Sequence, residues 1–185
     1  HYATLAANSH NAQPWLFARS TKGVSIMPDT SRRLTIADPD DHHLYASLGC
    51  ATENMILAAS ASGRSAAADF RFDGDGRIDI DVSPASSVRD PLFDAILDRQ
   101  CTRSTYDGRA VDKNELDAIL DAAKIDGCEI ILIPDQNKIE QALEMILAAN
   151  TSQVEYPEFA AELKSWIRFS SASAAATRDG LYAAC

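Results

Sequence analysis

The sequence predicts an α+β fold with a mixed, mainly antiparallel sheet flanked by helices. Pairs of alternating apolar and polar segments, each pair joined by a turn, are typical of antiparallel hairpins. Several longer stretches carry apolar residues at helical spacing. Strands and helices do not alternate regularly along the chain, which argues against a doubly wound parallel sheet.

The first part of the chain predicts a hairpin preceded by the end of a helix. The segment YATLAAN, residues 2–8, is typical of the last turns of a helix. PWLFARST and VSIMP predict the two arms of the hairpin, with Lys22 and Gly23 in its turn. The loop that follows contains Arg32 and Arg33, which we expect to be a solvated pair.

The middle of the chain predicts one long helix and a second hairpin. Residues 42–63 (HHLYASLGCATENMILAASASG) are apolar almost all round, which is typical of a buried central helix. AAADFRF and RIDIDV alternate and are joined by DGDG, as in a hairpin. The polar segment SPASSV then suggests a boundary, dividing the chain into a first half at 1–88 and a second half at 89–185.

The second half predicts more helices and one strand. DPLFDAILDRQ has a proline in its first turn, and DKNELDAILDAAK begins with Asp112 followed by Glu115, a capping-box pattern. CEIILIP, residues 128–134, predicts a buried strand. The stretch 136–169 predicts two amphipathic helices, and the chain ends in a tail rich in small residues.

Composition excludes some classes of function. The chain has 17 Lys and Arg against 27 Asp and Glu, a net charge of −10. This balance argues against binding to nucleic acid or to an anionic membrane. No run is long enough for a transmembrane helix, and the four cysteines contain no CxxC pair, so we expect single thiols and no zinc site.

Two polar clusters could bind a ligand. In NSHNAQPWLF the short amides and hydroxyls could dock a polar ligand edge, or they could only bond the local backbone. In RQCTRSTYDGRAV, Arg99 and Arg103 flank Cys101, an arrangement that suits a phosphate. The alternative for the second cluster is a solvated helix end, where arginine is favourable to the helix dipole.

Together the clusters resemble the FMN-dependent nitroreductase superfamily. LAANSHNAQPWLF is similar to its N-x-Q-P-W segment, and RQCTRSTYDGRAV to its arginine-containing opening segment. Their order is reversed here, which is similar to the subgroup with two fused halves: the dormancy-associated FMN-binding proteins and their exported relatives. DPDDHHLYASLGCATENMILAASASG also resembles that subgroup. By this resemblance the chain is expected to be a fragment.

The resemblance implies a nitroreductase-like fold with FMN bound between the two halves. Asn8, Ser9, Asn11 and Gln13 would face the flavin ring and ribityl chain, with His10 close to the ring. The residues that would hold the phosphate are Arg99, Cys101 and Arg103. Cys101 stands where the family usually has Ser or Thr, and a thiol is a weaker donor than a hydroxyl.

The implied activity is hydride transfer from NAD(P)H, through FMN, to nitroaromatics, quinones or similar small electrophiles. Hydride transfer requires no protein acid or base, so none is assigned. Alternatively, helices in 136–169 form a lid and the protein holds FMN without turnover; the same helices could instead simply complete the core. A fragment could also lack too much of the site to bind FMN. The compartment, cytoplasm or periplasm, and the state, monomer or homodimer, stay open.

Overall fold

The computed structural model describes residues 1–101, 105–125, 127 and 129–182 of the 185-residue chain. Its contacts form two units: His1–Cys101 with Pro157–Cys185, and Thr102–Tyr156. The predicted α+β class is confirmed, because the described residues combine helices with an antiparallel four-stranded sheet. The division into halves at 1–88 and 89–185 stays a prediction.

An antiparallel sheet lies at the centre of the first unit. Its strands are β1 (Trp15–Arg19), β2 (Gly23–Pro28), β3 (Arg64–Arg71) and β4 (Arg77–Pro84). They lie in the order β1-β2-β4-β3, so that the two predicted hairpins are joined through β2 and β4. Gly23 makes this pairing possible, since a β-carbon there would lie 2.1 Å from the carbonyl oxygen of Ile80.

One face of the sheet is apolar and packs against the long helix α1 (His42–Ala61). Side chains alternate between the faces of a strand, so Ile26 and Ile80 point to the same side. Both are completely buried with Leu48 of α1. The opposite face is polar: the Ser25 hydroxyl donates a 2.6 Å hydrogen bond to Asp79.

The prediction that α1 is a buried central helix is correct for one side of the helix only. Leu44, Leu48 and Ala51 are buried, but Gly49 and Cys50 are exposed. The sheet covers only one side of the helix. Small residues on its other side read as apolar in the sequence, yet each exposes little apolar surface to water.

The first turn of helix α1 is hydrogen-bonded to a carboxylate that lies four residues upstream of the helix. Asp38 is buried, and its two oxygens accept hydrogen bonds of 2.9 Å from the backbone N–H groups of His43 and Leu44. These bonds satisfy two of the N–H groups that a helix start leaves unpaired, and the negative charge is favourable to the helix dipole.

The remaining predicted helices are present. They are α2 (Pro91–Asp98), α3 (Lys113–Ala122), α4 (Gln136–Glu155) and α5 (Pro157–Trp166). The predicted capping box at the start of α3 is confirmed, with Asp112 and Glu115 bonding each other's backbone. Residues 2–8 differ, because they contain only the 3₁₀ turn Tyr2–Leu5. Among the described helices, none is long and apolar enough to cross a membrane.

One predicted strand is absent toward the end of the chain, and regular structure that was not predicted is present there. Residues 129–134, expected to be a buried strand, have no regular secondary structure, and Ile131 is 75% exposed. A strand needs a hydrogen-bonding partner, and the described residues of the second unit contain no other strand. Conversely, the tail forms regular structure: β5 (Ile167–Arg168), α6 (Ser171–Thr177) and β6 (Leu181–Tyr182), with β5 and β6 parallel.

Leu48→Ala is expected to lower the free energy of unfolding by about 2–5 kcal/mol, because it removes a wholly buried side chain from the contact between α1 and the sheet. Leu16→Ala is the control: Leu16 is 49% exposed, and its loss is expected to cost about 0.5 kcal/mol or less. Urea denaturation of both variants measures the difference. Equal losses would contradict the assignment of the core.

Candidate functional site

The amides predicted to bind a ligand lie in one tight turn just before β1. This turn, residues 8–13, is called the amide segment below and contains the 3₁₀ turn Ser9–Asn11. Asn8 closes it, because its side-chain oxygen accepts a 2.7 Å hydrogen bond from the backbone N–H of Gln13. The structure therefore brings Asn8, Ser9, Asn11 and Gln13 together.

The backbone of the amide segment is unusual. His10, Asn11 and Gln13 have φ angles of 52°, 51° and 53°, in the left-handed region. Among the described non-glycine residues, only Asp41 and Arg178 also have positive φ. Each such residue costs on the order of 1–3 kcal/mol and persists only where surrounding structure holds it. Three of them within four positions mark this turn as a strained element.

A second turn, residues 178–180, holds the amide segment from outside. The Asn11 side-chain NH₂ donates to the carbonyl oxygen of Gly180 (3.2 Å), and the Gly180 N–H donates back to the Asn11 carbonyl (3.1 Å). The Gln13 side-chain NH₂ donates to the Arg178 carbonyl (2.7 Å). Asn11 and Gln13, which both have left-handed backbone conformations, are therefore bonded to the same turn.

An ion-pair cluster fastens the second turn. The Asp179 carboxylate pairs with Arg32 (3.0 Å) and Arg168 (2.7 Å). The same Arg32 nitrogen donates a 2.7 Å hydrogen bond to the carbonyl of Ala12, inside the amide segment. The expectation that Arg32 and Arg33 form a solvated loop pair is wrong for Arg32, which joins this cluster; Arg33 is exposed and pairs with Asp41.

Asp179 is ionised at neutral pH. Burial raises the pKa of its carboxyl, but hydrogen bonds from Arg168, Thr177 and Arg32 together outweigh burial and hold the pKa below its ordinary value of 3.8. A carboxyl with a depressed folded-state pKa stabilises the fold above its unfolded pKa, and this contribution is lost as the pH falls through the folded pKa. The contribution of Asp179 is therefore fully present at neutral pH and is lost only in acid, as the pH falls below the ordinary pKa of the carboxyl.

The arginine cluster is only partly described. Arg99 follows α2, and its guanidinium donates to the carbonyl of Leu5 (3.1 Å) and to the Cys101 sulfur (3.7 Å). Arg99 and Cys101 are both exposed. Leu5 lies three residues before Asn8, so Arg99 contacts the chain just upstream of the amide segment. Arg103 lies outside the described residues.

A small cavity lies behind the amide segment. Ser9, Ala12 and Pro14 line one side of it, and Leu34 and Leu44 contribute to the other. It has room for about one water molecule. This cavity is therefore too small for a ring-shaped ligand, which would have to bind outside it; Asn11 is exposed, and a larger open pocket is lined by Arg32 and Asp179.

Sequence reasoning did not identify Arg32, Arg168, Asp179 or Gly180 as part of this site. One local signal was present, because Asp179-Gly180 is a dipeptide typical of turns. Gly180 has a φ of 78°, and a β-carbon there would lie 2.5 Å from the Trp166 carbonyl oxygen. The turn therefore requires glycine at this position.

Comparison with known proteins leaves the family open. No protein-family model matches the sequence, and no curated protein matches it significantly. The resemblance to nitroreductases therefore depends on the quoted motifs alone, and what it implies is a proposal.

Gly180→Ala is expected to destabilise the first unit more than Gly74→Ala does. Both glycines have positive φ, so alanine costs about 1–2 kcal/mol of backbone strain at either position. Only at Gly180 does the new methyl group meet backbone, whereas it meets nothing within 4 Å at Gly74. Thermal unfolding of the two variants measures the difference, and an equal loss would show that the turn tolerates a side chain.

Proposed function

We propose that this protein is an FMN-dependent oxidoreductase with a nitroreductase-like fold. It takes a hydride from NAD(P)H and passes electrons to nitroaromatics, quinones or similar small electrophiles. The amide segment and the arginines near Cys101 bind the flavin, in the roles that the family resemblance implies.

One observation carries this proposal. The segment that resembles the flavin-contacting motif is also where left-handed non-glycine residues concentrate, at His10, Asn11 and Gln13. Backbone strain of this kind clusters at ligand sites, where it sets polar groups in a fixed arrangement before the ligand arrives.

The polar groups present fit FMN in their chemistry. A guanidinium has five N–H donors. Arg99 uses two of its nitrogen atoms to donate to the Leu5 carbonyl and the Cys101 sulfur. Its remaining N–H groups can donate to a phosphate. The side-chain oxygen of Gln13 is available as an acceptor, and Ser9 adds a half-buried hydroxyl. Asn8 is committed to closing the turn, so its role toward the flavin is to position the backbone.

When bound, FMN supplies the two-electron carrier that hydride transfer requires. The chain contributes binding and orientation. Arg99, with Arg103, neutralises phosphate charge, and the amide segment presents a rigid polar edge. The exposed position of Asn11 leaves space beside the segment for a second aromatic molecule. No side chain has to accept or donate a proton, so no catalytic residue is assigned.

A second candidate is an FMN-binding protein without NAD(P)H turnover. It is favoured by the hydrogen bonds that Asn11 and Gln13 already make to the turn at 178–180, because this turn covers part of the amide segment. In such a protein the flavin would be held but shielded from a second aromatic ring.

Arg99→Ala is expected to weaken FMN binding about tenfold, since it removes charge-assisted hydrogen bonds to phosphate. Arg64→Ala is the matched control: it removes the same charge from an exposed position on β3 and should leave the affinity unchanged. Quenching of FMN fluorescence on titration with protein measures both affinities. Equal affinities in the two variants would remove Arg99 from the phosphate site.

Addition of NADPH or NADH to the FMN-loaded protein under anaerobic conditions is expected to bleach the oxidised-flavin absorbance within seconds. Subsequent addition of a quinone should restore it. Absorbance that persists with both nucleotides would favour the second candidate, the flavin-holding protein. A protein that FMN cannot reconstitute would contradict both.

A further inference from the structure

We propose that Asp179 is a positioning residue for flavin binding. Through Arg32 and Arg168 it holds the turn at 178–180 against the amide segment, and the turn keeps Asn11 and Gln13 in their left-handed conformation. The role toward flavin rests on the proposed function. Its role in holding the turn against the amide segment, called the mechanical role below, concerns the chain alone and is tested without ligand.

The ion-pair cluster is partly shielded from water, and its three side chains line one open polar pocket. The side chains of Asp179 and Arg168 are 11% and 13% exposed, and that of Arg32 is 32% exposed. Each carboxylate oxygen has its own partner: Oδ1 accepts from Arg168, and Oδ2 accepts from Arg32. Ion pairs are stronger where water is partly excluded. Without Asp179, Arg168 would lose its ion-pair partner, and Arg32 would keep only the longer 3.7 Å pair with Asp29.

Arg32 connects the cluster directly to the amide segment. Its Nη1 atom donates both to Asp179 and to the carbonyl oxygen of Ala12, at 3.0 and 2.7 Å. Ala12 lies between the left-handed residues Asn11 and Gln13. The carboxylate therefore orients the guanidinium that holds the middle of the strained turn.

The hydrogen bonds from the turn complete the arrangement. Asn11 and Gly180 exchange two hydrogen bonds, and Gln13 donates to Arg178. These bonds are neutral, and each contributes only about 1 kcal/mol net. Their sum is comparable with the strain of two left-handed residues. The charged cluster adds to these bonds and to the closing bond of Asn8, and its contribution tips the balance toward the observed conformation.

Asp179→Asn tests this role with little change of side-chain volume. It removes the negative charge between Arg32 and Arg168, which should loosen the turn and release Asn11 and Gln13. Asp81→Asn is the matched control, because Asp81 pairs with Lys22 on the polar face of the sheet with its side chain 56% exposed.

The first measurement is amide hydrogen exchange without FMN. Asp179→Asn is expected to accelerate exchange at the backbone N–H groups of Gly180 and Gln13 about tenfold or more, with no change at Ile80 in the centre of the sheet. Asp81→Asn should change none of the three. Unchanged exchange at Gly180 and Gln13 in Asp179→Asn would overturn the mechanical role.

The second measurement is FMN affinity together with the absorbance bands of bound FMN. Asp179→Asn is expected to weaken binding about tenfold, or 1.4 kcal/mol, and to shift the bands toward those of free FMN. A loss of global stability alone would lower the folded fraction without moving the bands. Arg168→Gln should have a similar effect, and the double variant should lose less than the sum of the two, because the residues share one interaction.

The two measurements separate the two proposals. Faster exchange with unchanged affinity and bands would overturn the positioning role while leaving the oxidoreductase proposal intact. If the unsubstituted protein does not bind FMN, the proposed function fails and the role toward flavin fails with it, while the exchange result still decides the mechanical role.

Discussion

The packing of α1 against the apolar face of the antiparallel sheet is the interaction on which the rest of the first unit depends. Leu48 meets Ile26 and Ile80 there, and Trp15 belongs to the same core. Because the amide segment leads directly into Trp15, this core sets where the segment ends. The buried Asp38 ties the loop before α1 to the start of the same helix. The candidate site is therefore built on the edge of a rigid core.

The site itself joins a strained turn to a charged cluster that holds it. The left-handed conformation of Asn11 and Gln13 is unfavourable for the isolated segment, although local hydrogen bonds such as that from the Gln13 N–H to Asn8 support it. Contacts from residues much later in the chain supply the stabilisation. A site made in this way is arranged before a ligand binds, which lowers the entropy cost of binding. The arrangement of the site also depends on the positions of those distant residues.

Predictions that depend on residues close together in the sequence were correct, whereas those that depend on contacts between distant segments failed. The capping box of Asp112 and Glu115 involves residues three apart, and it is present as predicted. The two hairpins likewise depend on short turns between alternating segments. The predicted strand at 129–134 failed because a strand exists only with a partner, and its composition carries no information about one. The burial of α1 was overestimated for a related reason, because the elements packed against it (the sheet, the Tyr2–Leu5 turn and α2) decide which side of the helix is covered.

The sequence by itself determined where most helices and both hairpins lie, the excess of acidic residues, and the concentration of amides and arginines in two segments. These properties depend on neighbouring residues or on composition. Only the tertiary structure decided that Asp179 lies between Arg32 and Arg168, and that Gly180 bonds to Asn11. Ion pairs and hydrogen bonds between residues far apart in the chain depend on the path of the backbone through the whole fold, and local residue preferences do not encode that path.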